Sequence, residues 1–101
     1  MPADAPAKRL EWSARALDAY LSTVARIAAD DPFTARQFIE RVQRSLAAIV
    51  EHPHIGTPAT RRGERRHPIA GTGHVIAYRI ERSTVRVQLW YRARRHIPNS
   101  V

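Results

Sequence analysis

The sequence contains no cysteine, so neither a disulfide framework nor a cysteine-ligated zinc site is possible. No segment approaches the roughly 18 to 20 consecutive apolar residues that span a bilayer. The first residues, MPADAPAKRLEW, also lack the basic and apolar regions of a signal peptide. We therefore expect no membrane association and no secretion by a signal peptide, and we predict a cytoplasmic location.

The chain is short, and its 101 residues leave room for one compact domain with a single hydrophobic core. Apolar residues make up 44% of it and charged residues 26%, which is a globular composition rather than a disordered one. We predict a single domain over residues 8–96. A disordered Pro/Ala-rich tail, residues 1–7, precedes it, and a short C-terminal tail, residues 97–101, follows it.

Acidic residues are scarce in the second half of the chain. Residues 1–51 hold seven Lys/Arg and seven Asp/Glu, whereas residues 52–101 hold ten Arg and two acidic residues, Glu64 and Glu81. Sixteen of the seventeen basic residues are Arg, whose planar guanidinium pairs with carboxylate or phosphate through two hydrogen bonds. This clustering favours an acidic or nucleic-acid partner over a uniformly solvated surface.

Two amphipathic helices are predicted in the first half. Ser13 is a typical N-cap for a helix that runs to about Ala29. Asp31 caps a second helix that begins at Pro32 and ends before Pro53. Apolar residues recur at three- and four-residue steps in both. They are Leu17, Tyr20, Leu21, Val24, Ile27 and Ala28 in the first helix, and Ala35, Phe38, Ile39, Val42, Leu46 and Ile49 in the second.

Four strands are predicted around these helices. Lys8–Trp12 is a short edge strand, and after a loop from about His52 to Glu64 come Arg66–Ile69, His74–Glu81 and Val85–Tyr91. In the last strand Val85, Val87, Leu89 and Tyr91 alternate with polar residues and Trp90. The predicted fold class is α+β, with the order β-α-α-β-β-β: an N-terminal edge strand, an antiparallel helical hairpin and a three-stranded antiparallel sheet.

Chemical motifs are few. The chain has five histidines, His52, His54, His67, His74 and His96, but no HExxH motif, nucleophile elbow or glycine-rich phosphate loop. We predict no metal site and no cofactor. Beside Arg94 and Arg95, His96 is either a solvated residue or an acid–base group. Trp90 lies among arginines on the predicted polar face, so it is either an interface residue or a cover for the helix ends.

Several segments together resemble the ParE/RelE family of bacterial toxins, over about Leu10–Arg95. Trp12-Ser13 with Ala16-Leu17-Asp18 is similar to the entry into the first helix of those toxins, and Asp31-Pro32 with Ala35 resembles their inter-helix turn. The run LAAIVEHPHIG resembles their leucine-x-x-proline-x-x-glycine segment, and VIAYRIERSTVRVQLWYRARR resembles their closing hairpin. The order and spacing of these pieces carry the resemblance.

The resemblance implies one component of a toxin–antitoxin pair, and the family has two branches. RelE-type members are ribosome-dependent mRNA endonucleases, and they carry an Arg for the scissile phosphate at the place occupied here by Val75. ParE-type members poison DNA gyrase and close with a leucine-histidine-glycine-x-arginine type segment. Tyr91 and Arg92 stand at its His and Gly, and Arg94 matches its Arg. We predict the ParE-like function.

This reading predicts two binding surfaces. The target, DNA gyrase, would contact Trp90, Arg92, Arg94 and Arg95. The partner would be a cognate antitoxin whose disordered acidic C-terminal segment folds as it binds, forming a hetero-oligomer. The predicted antitoxin-binding residues are Arg66, Arg79, Leu21 and Val42.

Two alternatives stay open at this point. A RelE-like endonuclease acting on the ribosome would use Arg66, Arg79, Arg94 or His96. The second alternative is a non-toxic basic module that binds RNA or DNA, and this binding would weaken steeply as the salt concentration rises.

Overall fold

The computed structural model describes residues 8–93, in which both helices begin at the predicted caps. Helix α1 (Ala14–Asp30) follows Ser13, whose Oγ accepts a hydrogen bond from the Ala16 N–H at 3.0 Å. Helix α2 (Pro32–Glu51) follows Asp31, whose carboxylate accepts from the Phe33 N–H at 3.0 Å. Neither helix is long and apolar enough to cross a membrane. The predicted tails, residues 1–7 and 97–101, lie outside the described residues.

Five strands form one sheet in the order β1-β5-β4-β3-β2. They are β1 (Arg9–Trp12), β2 (Thr57–Pro58), β3 (Glu64–Ile69), β4 (His74–Ile80) and β5 (Thr84–Arg92). The predicted α+β order is confirmed, with one addition. Part of the predicted loop, residues 52–64, is structured, because it contains a 3-10 turn at Pro53–Ile55 and strand β2, which pairs with β3.

Strand β1 pairs with β5, and this pairing is the single parallel one in the described sheet. Leu10 lies opposite Val85 and Trp12 opposite Val87. The Ser13 N–H extends the pairing by donating to the Val87 carbonyl at 2.8 Å. The start of the chain is therefore fixed to its last described strand, and α1 leaves the sheet directly from that contact.

The two helices cover one face of the sheet, which we call the helical face. The core lies between them and this face, and α2 contributes more buried side chains than α1. The large buried apolar residues are Phe38, Val42, Leu46 and Ile49 from α2, and Ile69, Ile76, Tyr78, Val85, Val87 and Trp90 from the strands.

The apolar stripe of α1 is only partly buried. Ala16 and Thr23 are its buried residues, whereas Leu17 and Leu21 are 39% and 52% exposed. Small side chains at the contact let α1 approach β5 closely, and this places the larger leucines to one side of the contact. The sheet therefore does not cover the predicted apolar stripe at these two leucines, and the helical hairpin presents them to solvent.

The predicted exposure of Trp90 is wrong, because β5 contains a β-bulge. Ala77 lies opposite Leu89 but Tyr78 lies opposite Val87, so Gln88 is an extra residue. A bulge reverses the alternation of side chains beyond it. Trp90 therefore points to the helical face, where it is 6% exposed and its Nε1 donates to Thr23 Oγ1 at 3.0 Å.

Trp90 belongs to an aromatic cluster beneath the helices. Its ring stacks on His74, with centroids 5.0 Å apart and an interplanar angle of 16°. Tyr20 meets it edge-on at 5.0 Å, and Phe38 at 5.9 Å. Trp12 stacks on Tyr20 at 5.1 Å. Rings from β1, both helices, β4 and β5 thus lock the two layers together.

Candidate functional site on the outer face of the sheet

Within residues 8–93 no helix covers the second face of the sheet, and we call it the outer face. Its side chains follow from the strand register, in which residues directly opposite one another share a face. They are Arg9 and Glu11 of β1, Glu64, Arg66 and Pro68 of β3, Val75, Ala77 and Arg79 of β4, and Arg86, Leu89 and Tyr91 of β5. One end of this face is charged and the other is apolar.

At the charged end, Arg79 lies between Glu64 on one side and Arg86 on the other. Like charges directly opposite each other on neighbouring strands are unfavourable. The Arg79 Nε is buried and has no hydrogen-bond partner within residues 8–93, although Nη2 donates to the Arg62 carbonyl at 3.4 Å. The Arg79 guanidinium thus retains an unsatisfied hydrogen-bond donor within the described residues.

A cavity of about 400 Å³ opens beside this charged end. Its lining includes three guanidinium-bearing residues from three separate elements: Arg15 of α1, Arg61 of the turn before β3, and Arg86 of β5. Glu64 is the acidic residue in the lining. We call this concavity the arginine cavity, and its shape and charge suit an anionic group.

At the apolar end, Val75 lies between Pro68 and Tyr91, and Ala77 lies next to Leu89. Val75, Leu89 and Tyr91 are partly exposed. An apolar row on a sheet without a covering layer is a typical protein-binding surface. The outer face therefore combines a cationic half and an apolar half.

Two predicted site residues are brought together on this face. Arg66 of β3 lies opposite Ala77 of β4, and Arg79 is two positions after Ala77 on β4. The two arginines are therefore diagonal neighbours on this face. Of the other predicted antitoxin contacts, Leu21 is exposed on the helical layer. Val42 is 1% exposed in the core, so its predicted role in antitoxin contact is wrong for the folded chain.

Two of the predicted target-binding residues, Trp90 and Arg92, lie at the far end of β5. Trp90 is buried and unavailable for target contact, so that prediction is also corrected. Arg92 is exposed and lies opposite His74, which places it at the rim of the helical face. The predicted residues Arg94, Arg95 and His96 lie outside the described residues.

None of the four described histidines lies on the outer face. His67 and His74 share the helical face with Ile76, and His52 and His54 lie at the end of α2 and in the following turn. Burial lowers the pKa of His67. Burial also lowers the pKa of His74, with Arg92 and Arg26 acting in the same direction against a hydrogen bond to the Thr72 carbonyl. Within residues 8–93 no cluster of three metal-ligating side chains occurs.

Sequence reasoning missed a second concavity, an apolar groove of about 680 Å³ on the helical layer. It runs between β1, the start of α1 and the end of α2. Leu10, Trp12, Tyr20, Leu46, Ala47 and Val50 line most of it. The sequence shows that these residues are apolar. It does not show that they come together, because this depends on the parallel pairing of β1 with β5.

Solved structures with the same architecture include proteins of bacterial toxin–antitoxin systems. A ParDE toxin–antitoxin structure from Pseudomonas aeruginosa aligns with a TM-score of 0.75 at 12% identity, covering 87% of this chain and 98% of that one. Isolated Escherichia coli RelE aligns with a TM-score of 0.64 at 20% identity, covering 89% and 88%. A mutant of Escherichia coli RelE bound to an antitoxin peptide aligns with a TM-score of 0.63 at 18% identity. The alignment covers 89% of this chain and 87% of that one. At these identities the likeness shows the fold.

The sequence itself identifies the family. The family model described as the ParE toxin of the type II toxin–antitoxin system parDE matches residues 10–95. The chain therefore belongs to the ParE toxin family, as its resemblance predicted. It is also 33% identical over 75 residues to a Sinorhizobium fredii protein named Putative toxin Y4kP, covering 74% of this chain and 78% of that protein.

Proposed function

We propose that this ParE-family toxin inhibits growth by binding DNA gyrase and is neutralised by a cognate antitoxin. The alternative within the same fold is ribosome-dependent mRNA cleavage of the RelE type. The two functions demand different chemistry from the outer face, and the described residues favour gyrase binding.

The observation that carries this choice is the position of Val75. RelE-type toxins, as noted above, use an Arg here to hold the scissile phosphate. Val75 is the second residue of β4, and its cross-strand neighbours on the outer face are Pro68 and Tyr91. None of the three carries a positive charge, so a phosphate at this place would lack the cation that stabilises charge in the transition state.

The outer face also supports neutralisation by an acidic partner. Arg66 and Arg79 lie on it as neighbours, and the charges around them are predominantly positive. Leu21 is exposed on the opposite layer, so a segment that contacts all three residues has to pass around the edge of the sheet. An antitoxin segment that folds on binding suits this geometry, and a hetero-oligomer is the expected assembly.

For the target-facing surface, we assign Arg92 together with Arg94 and Arg95. Arg92 is exposed at the end of β5, and the chain continues from it directly to the other two. Arginine contributes more often than most residues to energetically important protein contacts.

Induced expression without antitoxin, with DNA breaks and mRNA cleavage followed in parallel, tests the proposal. We expect DNA breaks that require gyrase, and loss of toxicity in an Arg92→Gln/Arg94→Gln variant. Arg36→Gln/Arg44→Gln, a charge-matched change on the exposed surface of α2, should remain toxic. Codon-spaced mRNA cuts in translating ribosomes, without gyrase-dependent breaks, would replace the proposal with the RelE-type function.

A further inference from the structure

The arginine cavity is assembled from parts of the chain that are distant in sequence. Arg15, Arg61 and Arg86 reach it from α1, the turn before β3, and β5. Its β5 residues are Arg86, Gln88 and Leu89, whereas Val75 and Tyr91 are not among the residues that line it. The cavity is therefore separate from the position that decides between the gyrase and RNA functions.

Most of the positive charge around the cavity lacks a partner. Arg86 is the exception, since its Nη1 lies 3.4 Å from Glu11 Oε1, and Glu11 is shared with Arg9 at 3.8 Å. Within residues 8–93, no carboxylate lies within 4.0 Å of the guanidiniums of Arg15, Arg61 or Arg79. The cavity therefore carries a net positive charge.

The sheet beneath the cavity gains from a bound anion. Arg79 and Arg86 lie directly opposite each other, and their repulsion is unfavourable until an anion lies between or above them. Arg86 lines the cavity, so an anion bound there would reduce this repulsion.

The surroundings of the cavity favour a peptide carboxylate over a nucleic-acid phosphate. The described residues that line the cavity include no aromatic ring on which a base could stack. Beyond Leu89 the outer face becomes apolar, which suits the alternating acidic and apolar side chains of an extended peptide.

We propose that the arginine cavity binds an acidic side chain from an extended segment of a protein partner, and that Val75, Leu89 and Tyr91 receive apolar side chains of the same segment. The assignment of this partner as the antitoxin rests on the proposed function. The site itself is a property of the folded chain and can be tested without toxicity.

The test uses the purified full chain and a labelled 12-residue peptide of alternating Glu and Leu, with fluorescence anisotropy as the readout. Losing one charge-assisted hydrogen bond should weaken binding about tenfold in Arg61→Gln or Arg15→Gln. Arg36→Gln carries the same charge change away from the cavity and should change the Kd less than about twofold. Circular dichroism and thermal melting establish that each variant is folded.

Two further probes separate the possible ligands. A peptide with Gln in place of Glu should bind weakly and should not discriminate Arg61→Gln from the parent chain. A 12-nucleotide single-stranded RNA should bind, if at all, without dependence on Arg61. If Arg61→Gln and Arg36→Gln weakened peptide binding equally, the binding would depend only on the net charge of the protein. That result would overturn the proposed site. RNA binding that depends on Arg61, with no such dependence for the Glu peptide, would overturn the peptide ligand.

Co-expression with the cognate antitoxin connects the site to the proposed function. Arg61→Gln should stay toxic and should require more antitoxin for rescue than Arg36→Gln. A parent chain without gyrase-dependent toxicity would refute the proposed function while leaving the anisotropy result intact. Loss of toxicity in Arg61→Gln alone would instead place the cavity on the target side and overturn its assignment to the antitoxin.

Discussion

The Tyr78 hydroxyl joins the loop after α2 to the middle of the sheet through the backbone of Gly56. The Gly56 N–H donates to this hydroxyl at 2.9 Å, and the hydroxyl donates to the Pro53 carbonyl at 2.6 Å. Tyr78 is fully buried on β4. A single side chain thus satisfies one backbone donor and one backbone acceptor in the turn that leads from the helical layer to β2.

Tyr78→Phe removes this hydroxyl and leaves both backbone groups without it. An unsatisfied buried group costs about 1–3 kcal/mol, so the free energy of unfolding should fall by about that amount. Urea denaturation measures the change. Tyr91→Phe is the control, since its hydroxyl makes no hydrogen bond within residues 8–93, and a loss of the same size in both variants would contradict the prediction.

Gly56→Ala should destabilise the fold through steric overlap. A Cβ at this position would lie 2.5 Å from the Tyr78 hydroxyl oxygen and 2.9 Å from the Arg66 carbonyl oxygen. Overpacking of this kind costs about 1–3 kcal/mol. The combined Gly56→Ala/Tyr78→Phe variant should lose less stability than the sum of the single changes, because removing the hydroxyl relieves one overlap. Strict additivity would show that the overlap is not with Tyr78.

His74 should make stability depend on pH. Burial lowers its pKa below the ordinary 6.5, as do Arg92 and Arg26, so the unfolded chain binds a proton more readily than the folded chain. The free energy of unfolding should therefore be highest above about pH 6.5 and fall as the pH drops below that value. His67 contributes in the same direction, because burial lowers its pKa too.

Urea denaturation of His74→Phe from pH 7.5 to 5 checks this dependence. The ring preserves stacking on Trp90, and the slope of stability against pH should become shallower. An unchanged slope in His74→Phe would assign the pH dependence to His67 instead.

Truncating an exposed leucine of α1 should cost much less stability than truncating a core residue. Ile49 is completely buried, and Ile49→Ala should cost about 2–5 kcal/mol. Leu21 is 52% exposed, so Leu21→Ala should change stability by about 0.5 kcal/mol or less. Thermal melting compares the two. With its fold intact, Leu21→Ala can then report on antitoxin affinity, whereas a large loss in stability would show that Leu21 is structural.

Arg79→Met should leave the fold as stable as before or make it more stable. The change removes both the repulsion with Arg86 and the buried Nε that lacks a partner. We expect a gain of about 0.5–1 kcal/mol that shrinks as added salt screens the charges. Arg86→Met, which also removes the pair with Glu11, should gain less. Marked destabilisation by Arg79→Met would mean that its Nη2 contact to Arg62 matters more than the repulsion.

Local signals in the sequence predicted the helices and most strands. Ser13 and Asp31 are caps because their side chains satisfy backbone N–H groups within three residues, an interaction that short sequence windows contain. The alternation of buried and exposed side chains predicted for β5 is correct up to Val87, because it too depends on near neighbours. These features depend on near neighbours, so the order of residues is sufficient to predict them.

The errors all concern contacts between distant parts of the chain. The bulge at Gln88 occurs where Ser13 Oγ donates to the Gln88 carbonyl at 3.0 Å, an interaction across 75 positions. Its effect on Trp90 could not be read from alternation alone. The exposure of Leu17 and Leu21 likewise depends on how Ala16 and Thr23 meet β5. The arginine cavity joins Arg15, Arg61 and Arg86, and no short motif links them.

The parallel pairing of β1 with β5 has a consequence for synthesis of the toxin. Because the described sheet pairs β1 with β5 alone, β1 has no partner in it until Thr84–Arg92 has left the ribosome. Contacts between residues so far apart in sequence form late and slowly. A ribosome that stops before Thr84 therefore releases a chain whose sheet cannot close and whose arginine cavity lacks one wall. The outer face therefore becomes complete only after β5 has been synthesised and has paired with both β4 and β1.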